Sequence, residues 1–396
     1  MTVTSVEPYR EIVFDKDGDG PAGQAAALAA LARQGCTDLV VFTHGWNSSP
    51  SVATGLFDRF FAPFPRVAGP AARLGYAGLI WPSMMFSDEP VPDYPALAAA
   101  VPDRAPVVAR LAVLAETEPA DEAAFDEFAD LLRALAGVAG DAGATEMPGF
   151  LASDPRRVYG MFADALDEAA GAAGAESLFG GDPLKRLWKG AKEALRQATY
   201  FTMKHRAGVV GERGLGPLLG ELGHLAPALR VHLVGHSFGA RLVAHALPAL
   251  PAGTRTVKSV TLLQGAFSHY AFATRLPHSP DRPGSLPGAQ SRVDGPVVAC
   301  HSRHDTALRV FYPLASRVSR DDESLLGEDD PRWQAVGFDG IQAVPGSSVR
   351  SLASALRDGL PGSGCVSVDA AEVVSEHSDI CHEQLAAVVA RAGRFG

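Results

Sequence analysis

The sequence predicts an α/β protein with a mostly parallel central sheet flanked by helices and one large, all-helical insertion. Three observations lead there. Short apolar runs recur along the 396 residues with helical patterns between them, the rhythm of parallel strands joined by crossover helices. Those runs are short and rich in valine, as suits strands covered on both faces. Between residues 87 and 195 the rhythm stops, and only Ala/Leu-rich helical patterns remain.

In chain order, the strand candidates are EIVF (11–14), DLVVFTH (38–44), AGLIW (77–81), VHLV (231–234), KSVTLLQ (258–264), PVVACHS (296–302) and CVSVDAAEVV (365–374). Helical patterns lie at about 22–33, 52–63, 238–249, 349–358 and 380–392, and GLGPLLGELGHL reads as a helix leading into VHLV. Five further patterns fill the strandless interval: DYPALAAAV, APVVARLAVLAE, DEAAFDEFADLLRALAGVAG, VYGMFADALDEAAGAAG and PLKRLWKGAKEALRQATY. The expected organisation is therefore a core of 1–86 and 196–396, with 87–195 inserted as a helical cap or lid. Two Pro/Gly/Asp-rich stretches, 278–296 and 321–333, read as surface loops.

Composition narrows the function classes. The chain is 47% hydrophobic and 20% charged with a net charge of −10, so no basic surface invites nucleic acid or anionic membrane. A neutral or apolar small molecule suits it better than a polyanion. No basic segment followed by an apolar one opens the chain, and no apolar run reaches bilayer length. Cys36, Cys300, Cys365 and Cys381 have neither C-x-x-C spacing nor the density of a disulfide framework. The expectation is a reduced, cytoplasmic protein without a transmembrane segment.

The chemistry is carried by VHLVGHSFGARLVAHAL (231–247), in which Gly235, His236, Ser237, Phe238 and Gly239 form G-x-S-x-G between a strand and a helix. A serine at such a turn is held in strained backbone that lifts its hydroxyl out of the sheet. A hydroxyl is a weak nucleophile near neutral pH, so it needs a histidine base and a carboxylate to orient that base. On this sheet the expected chain order is Ser, then Asp or Glu, then His.

Asp305 follows PVVACHS directly, whereas its rivals Asp281, Asp294, Asp321 and Asp322 lie in polar loops. Its competing role is to cap a helix starting at Thr306 to Leu308. His377 lies in the loop before the last helical pattern, while its rival His382 is expected inside that pattern. His44, His236, His301 and His304 are assigned to strand-end surroundings. His44-Gly45-Trp46 follows a buried strand, and the N–H groups of Trp46 and Phe238 form the expected oxyanion hole.

Two further signals are set aside. FDKDGDG (14–20) resembles the start of a calcium loop, but the last position of a twelve-residue loop would be Ala26 instead of Glu. The histidines lack H-E-x-x-H or other tight spacing, so no metal is expected. In the insertion, Phe125, Phe128, Leu131, Leu132 and Leu135 read first as its own core and second as an acyl-contacting stripe.

HGWN (44–47), IWPS (80–83), GHSFGA (235–240), the HD of 304–305 and HSDI (377–380) together resemble the α/β-hydrolase superfamily. HGWN and IWPS are similar to a bacterial esterase- and lipase-like branch of serine hydrolases. The resemblance covers roughly 1–86 and 196–396 and implies hydrolysis through an acyl-enzyme without metal or organic cofactor. The expected activity is cleavage of a carboxylic ester or thioester. Peptidase or amidase action, acyl transfer to an alcohol, and a silent ligand- or partner-binding scaffold are the alternatives. The insertion is expected to be a lid or else the contact surface of a homo-oligomer.

Overall fold

Among the described residues, eight strands form one sheet: β1 (Tyr9–Val13), β2 (Asp38–Thr43), β3 (Leu74–Ile80), β4 (Arg230–His236), β5 (Val257–Leu263), β6 (Pro296–His301), β7 (Ser348–Ser351) and β8 (Gly364–Asp369). Their order is β1-β3-β2-β4-β5-β6-β8-β7, and every pairing is parallel. The computed structural model describes residues 5–83, 94–136, 154–172, 182–305, 307–308 and 334–396. It divides into two units: Met1–Ser83 with His205–Arg309 and Gln334–Gly396, and Met84–Lys204 with Val310–Trp333.

The sheet belongs to the first unit. β2, β4, β5 and β6 are central, and their side chains are almost wholly buried, which explains why they read as continuous apolar runs. One sheet face, including Val40, Phe42, Val234, Val298, Cys300, Val366 and Val368, packs against Phe57, Phe60, Phe61, Phe64, Leu385, Val388 and Val389. Phe42 and Phe60 stack with ring centroids 4.1 Å apart. From β2 the chain moves to β3 on one side, and from β4 it moves to β5 on the other. The boundary between β2 and β4 is thus a topological switch point, where open parallel sheets form a crevice at the strands' carboxyl ends.

Several boundaries differ from the sequence expectation. The pattern at 349–358 is an edge strand, Ser348–Ser351, followed by a helix, Leu352–Asp358. Val349 on that strand is 71% exposed, so its apolar side chain gave a misleading helical signal. Ser351 marks the true start, its hydroxyl accepting from the N–H of Ser354 at 3.2 Å. The run 365–374 stays in the sheet only to Asp369, after which the N–H groups of Val373 and Val374 turn back to the carbonyl of Ala370. His382 is not inside the last helix, which spans Glu383–Gly393; it precedes it and bonds Asp379 at 2.6 Å.

The 278–296 stretch is irregular up to β6 apart from a short 3₁₀ turn at Ala289–Arg292. The 321–333 loop lies outside the described residues. In the second unit the described elements are helices: Tyr94–Ala100, Ala105–Thr117, Glu122–Ala136, Pro155–Ala172 and Pro183–Val209, the last ending in the first unit. Phe125 stacks on Trp188 at 4.6 Å, and Phe128 meets the edges of Trp188 and Tyr159. The aromatic stripe of Glu122–Ala136 is spent on this packing, and Glu127 on its outer side pairs with Arg110. Among the described residues no helix is long and apolar enough to cross a membrane.

Candidate active site

Ser237 sits between the end of β4 and the helix Phe238–Ala246, with φ 56° and ψ −118°. That backbone region is costly for a residue with a Cβ and persists only where the surroundings enforce it. Here Ser237 N–H donates to Leu263 O at 3.0 Å, and its carbonyl accepts from the N–H groups of Ala240 and Ala266. The motif glycines explain the tightness of the turn. A Cβ on Gly235 would lie 2.3 Å from Gly239 O, and one on Gly239 would lie 2.3 Å from Thr43 O and 2.5 Å from His44 O. A serine at a helix N-cap ordinarily accepts from the first-turn N–H groups. Ser237 makes no such bond; its Oγ instead lies 2.9 Å from His377 Nε2.

His377 Nδ1 lies 2.6 Å from Asp305 Oδ2. A carboxylate only accepts, so Nδ1 carries the ring proton and Nε2 presents a lone pair to the Ser237 hydroxyl. Asp305 is fully buried. Its other oxygen, Oδ1, accepts from Leu308 N–H at 2.9 Å. The capping role and the histidine-orienting role are therefore filled by two oxygens of one carboxylate. Ser302 ties the two loops together: its hydroxyl donates to Val374 O at 2.8 Å and accepts from His304 N–H at 3.1 Å.

The His44-Gly45-Trp46 turn at the end of β2 comes up against the serine. A Cβ on Gly45 would lie 2.9 Å from Ser237 Cβ and 3.1 Å from His236 Nδ1, and the Trp46 and Phe238 rings are 6.3 Å apart. HGWN and IWPS interlock here. Trp81 Nε1 donates to His44 O at 3.1 Å, Asn47 N–H to Ser83 O at 2.9 Å, and Ser48 N–H to Ser83 Oγ at 3.1 Å. His44 Nδ1 donates to Gly45 O at 2.9 Å, leaving Nε2 to accept from Trp81 N–H. Burial pushes the His44 imidazole down to about 4, so it is neutral at pH 7.

Ser237, Asp305 and His377 are thus within hydrogen-bond reach of one another in the order Ser–His–Asp, while His382 is engaged with Asp379. Sequence reasoning passed over two neighbours. His236 Nε2 donates to the main-chain carbonyl of His377 at 2.9 Å, fixing a loop that has no regular structure. Burial, with the nearby His377 ring adding to it, pushes His236 down to about 3. Gln264, beyond the end of β5, approaches Asp305 Oδ2 at 3.4 Å. Only their places beside the motif serine and at a strand end could have flagged them.

The acidic turn at 15–19 is internally bonded, Asp15 Oδ1 accepting from the N–H groups of Asp17 and Asp19 at 2.9 Å. Among the described residues no three His, Cys, Asp or Glu side chains are grouped to hold a metal. No family model, no curated protein and no solved structure matches the chain.

Proposed function

We propose that the protein is a serine hydrolase of the α/β-hydrolase type that cleaves a carboxylic ester or thioester through an acyl-enzyme. One observation carries the reading: a serine in left-handed, strained backbone at a strand–helix turn, 2.9 Å from an imidazole that is itself 2.6 Å from a buried carboxylate. Ser237 Oγ attacks the acyl carbon while His377 Nε2 takes its proton. Asp305 holds the ring tautomer and stabilises the imidazolium that forms. The N–H groups of Trp46 and Phe238 receive the developing oxyanion, a contribution of roughly 3–4 kcal/mol to the barrier for one such donor. His377 then delivers the proton to the leaving group, and a water molecule activated by the same imidazole releases the acid. The net charge of −10 favours a neutral or apolar acyl substrate.

The test is hydrolysis of nitrophenyl esters of increasing acyl length, with Ser237→Ala as control. Turnover should fall by about 10⁴-fold or more in the variant, because members of such a unit fail together. Ester hydrolysis undiminished in Ser237→Ala would remove the assignment. Activity confined to amides would keep the nucleophile and replace the substrate class.

A further inference from the structure

Three features that ordinarily disfavour a residue meet at Gln264. It follows β5 directly and is 1% exposed. Its φ of 47° places a side chain with a Cβ in left-handed backbone. Its amide oxygen is buried with no hydrogen-bond partner among the described residues, a state that costs stability. The backbone is fixed there by its own N–H donating to Cys300 O at 3.1 Å.

The compensating contact is at the other end of the amide. Gln264 Nε2 points to Asp305 Oδ2 at 3.4 Å, the oxygen that also receives His377 Nδ1 at 2.6 Å. Asp305 is 0% exposed, so protein donors must replace the water its charge would otherwise hold. Leu308 N–H serves Oδ1, and the Gln264 amide and the imidazole share Oδ2.

We propose that Gln264 is a positioning residue for the reaction, fixing the plane of the Asp305 carboxylate and through it the His377 ring. The proposal rests on the Ser237–His377–Asp305 reading above. A strained residue with an orphaned polar atom points to function when its one polar product is at the site. A 3.4 Å contact in the resting enzyme is also consistent with a bond that tightens when charge develops on the imidazole. An apolar residue of the same length would cost Asp305 a donor and remove the orphaned oxygen, two opposing effects on stability, which makes the positioning role separable from packing.

The decisive variant is Gln264→Met, which removes the donor and the orphaned oxygen together while keeping the chain length. We expect thermal stability close to that of the unaltered protein, the lost donor to Asp305 and the removed orphaned oxygen offsetting each other. We also expect about a tenfold loss in the rate of covalent labelling by a fluorophosphonate, the lower end of what a hydrogen bond to a charged group is worth. On an ester, kcat should fall while KM stays within about twofold, since the residue acts on the machinery and not on substrate binding. The downfield proton NMR resonance of His377 Nδ1–H should move or broaden. Gln264→Asn keeps an amide one methylene short of Asp305 and should lose rate in the same way.

Labelling within twofold of the unaltered rate with the Nδ1 proton unmoved would overturn the proposal. So would parallel loss of stability and rate in both variants with that proton unmoved, the mark of a packing residue. If the unaltered protein takes no label, the Ser237 reading fails first. The NMR comparison then decides the positioning role by itself, because it reads the Asp305–His377 bond without substrate.

Discussion

Acidification is expected to destabilise this fold through two histidines that flank Ser237. His44 is 0% exposed and is pushed down to about 4 by burial, and His236, 6% exposed, is pushed down to about 3 by burial and by the neighbouring His377. In the unfolded chain both titrate near about 6.5. Below that value the unfolded state binds protons that the folded state refuses, so stability rises with pH across the window. It is complete above about pH 6.5 and is lost progressively down to about 4 for His44 and about 3 for His236. At about pH 5 the unfolded value is passed by roughly 1.5 units, which at about 1.4 kcal/mol per unit is about 2 kcal/mol for each histidine. Together they remove about 4 kcal/mol, a large fraction of a stability of about 5–15 kcal/mol.

His232 and His301, also pushed down by burial, add to the same slope. The lowered carboxylates Asp38, Asp58 and Asp379 contribute only as the pH approaches their unfolded value of about 3.9. The assay is urea unfolding at about pH 7.5, 6 and 5 for the protein and for His44→Asn, which keeps a donor near Gly45 O but does not titrate. The variant will be less stable throughout, yet its decline to pH 5 should be shallower by about 2 kcal/mol. Parallel declines would refute the claim that His44 is held neutral.

Two further outcomes follow from the packing around the serine. Gly239→Ala places a Cβ within 2.5 Å of the main-chain oxygens of Thr43 and His44, so the Ser237 turn must move away from the β2 end. Displacement on the order of 1 Å costs about 10²-fold in rate, measurable as slowed fluorophosphonate labelling; an unchanged rate would show that the close approach is irrelevant to reactivity. His236→Leu deletes the donor to His377 O and leaves a carbonyl unpaired at a cost of about 1–3 kcal/mol. Its expected signature is a lower Tm with a reduced kcat, and wild-type values of both would exclude the anchoring role.

The parts of this architecture legible in the sequence were those with a local signal. β2, β4, β5 and β6 are buried on both faces and therefore read as apolar runs. Ser237 was visible because a strand, two glycines and a helix surround it within a few residues. Asp305 and His377 stand out because each follows a strand candidate, although 72 residues separate them in the chain, and the fold brings them within hydrogen-bond distance.

The failures share one cause, dependence on contacts distant in sequence. β7 is short and exposes Val349, so only its pairing with β8 identifies it as a strand. His236 was explained away as a strand-end residue because its partner, the carbonyl of His377, is 141 positions later. Gln264 is the last residue of the strand candidate KSVTLLQ; its left-handed backbone and its approach to Asp305 exist only once β5 and β6 lie side by side.

The central claim is that Ser237 is the nucleophile and His377 its base. The most direct measurement is peptide mass spectrometry after incubation with a fluorophosphonate, in which Ser237 Oγ bonds to phosphorus, fluoride departs and His377 accepts the proton. The account predicts one phosphonyl group, located on Ser237, absent from Ser237→Ala and formed far more slowly in His377→Gln, whereas His382→Gln labels normally. Label on another residue, or equal labelling in His377→Gln, would contradict it.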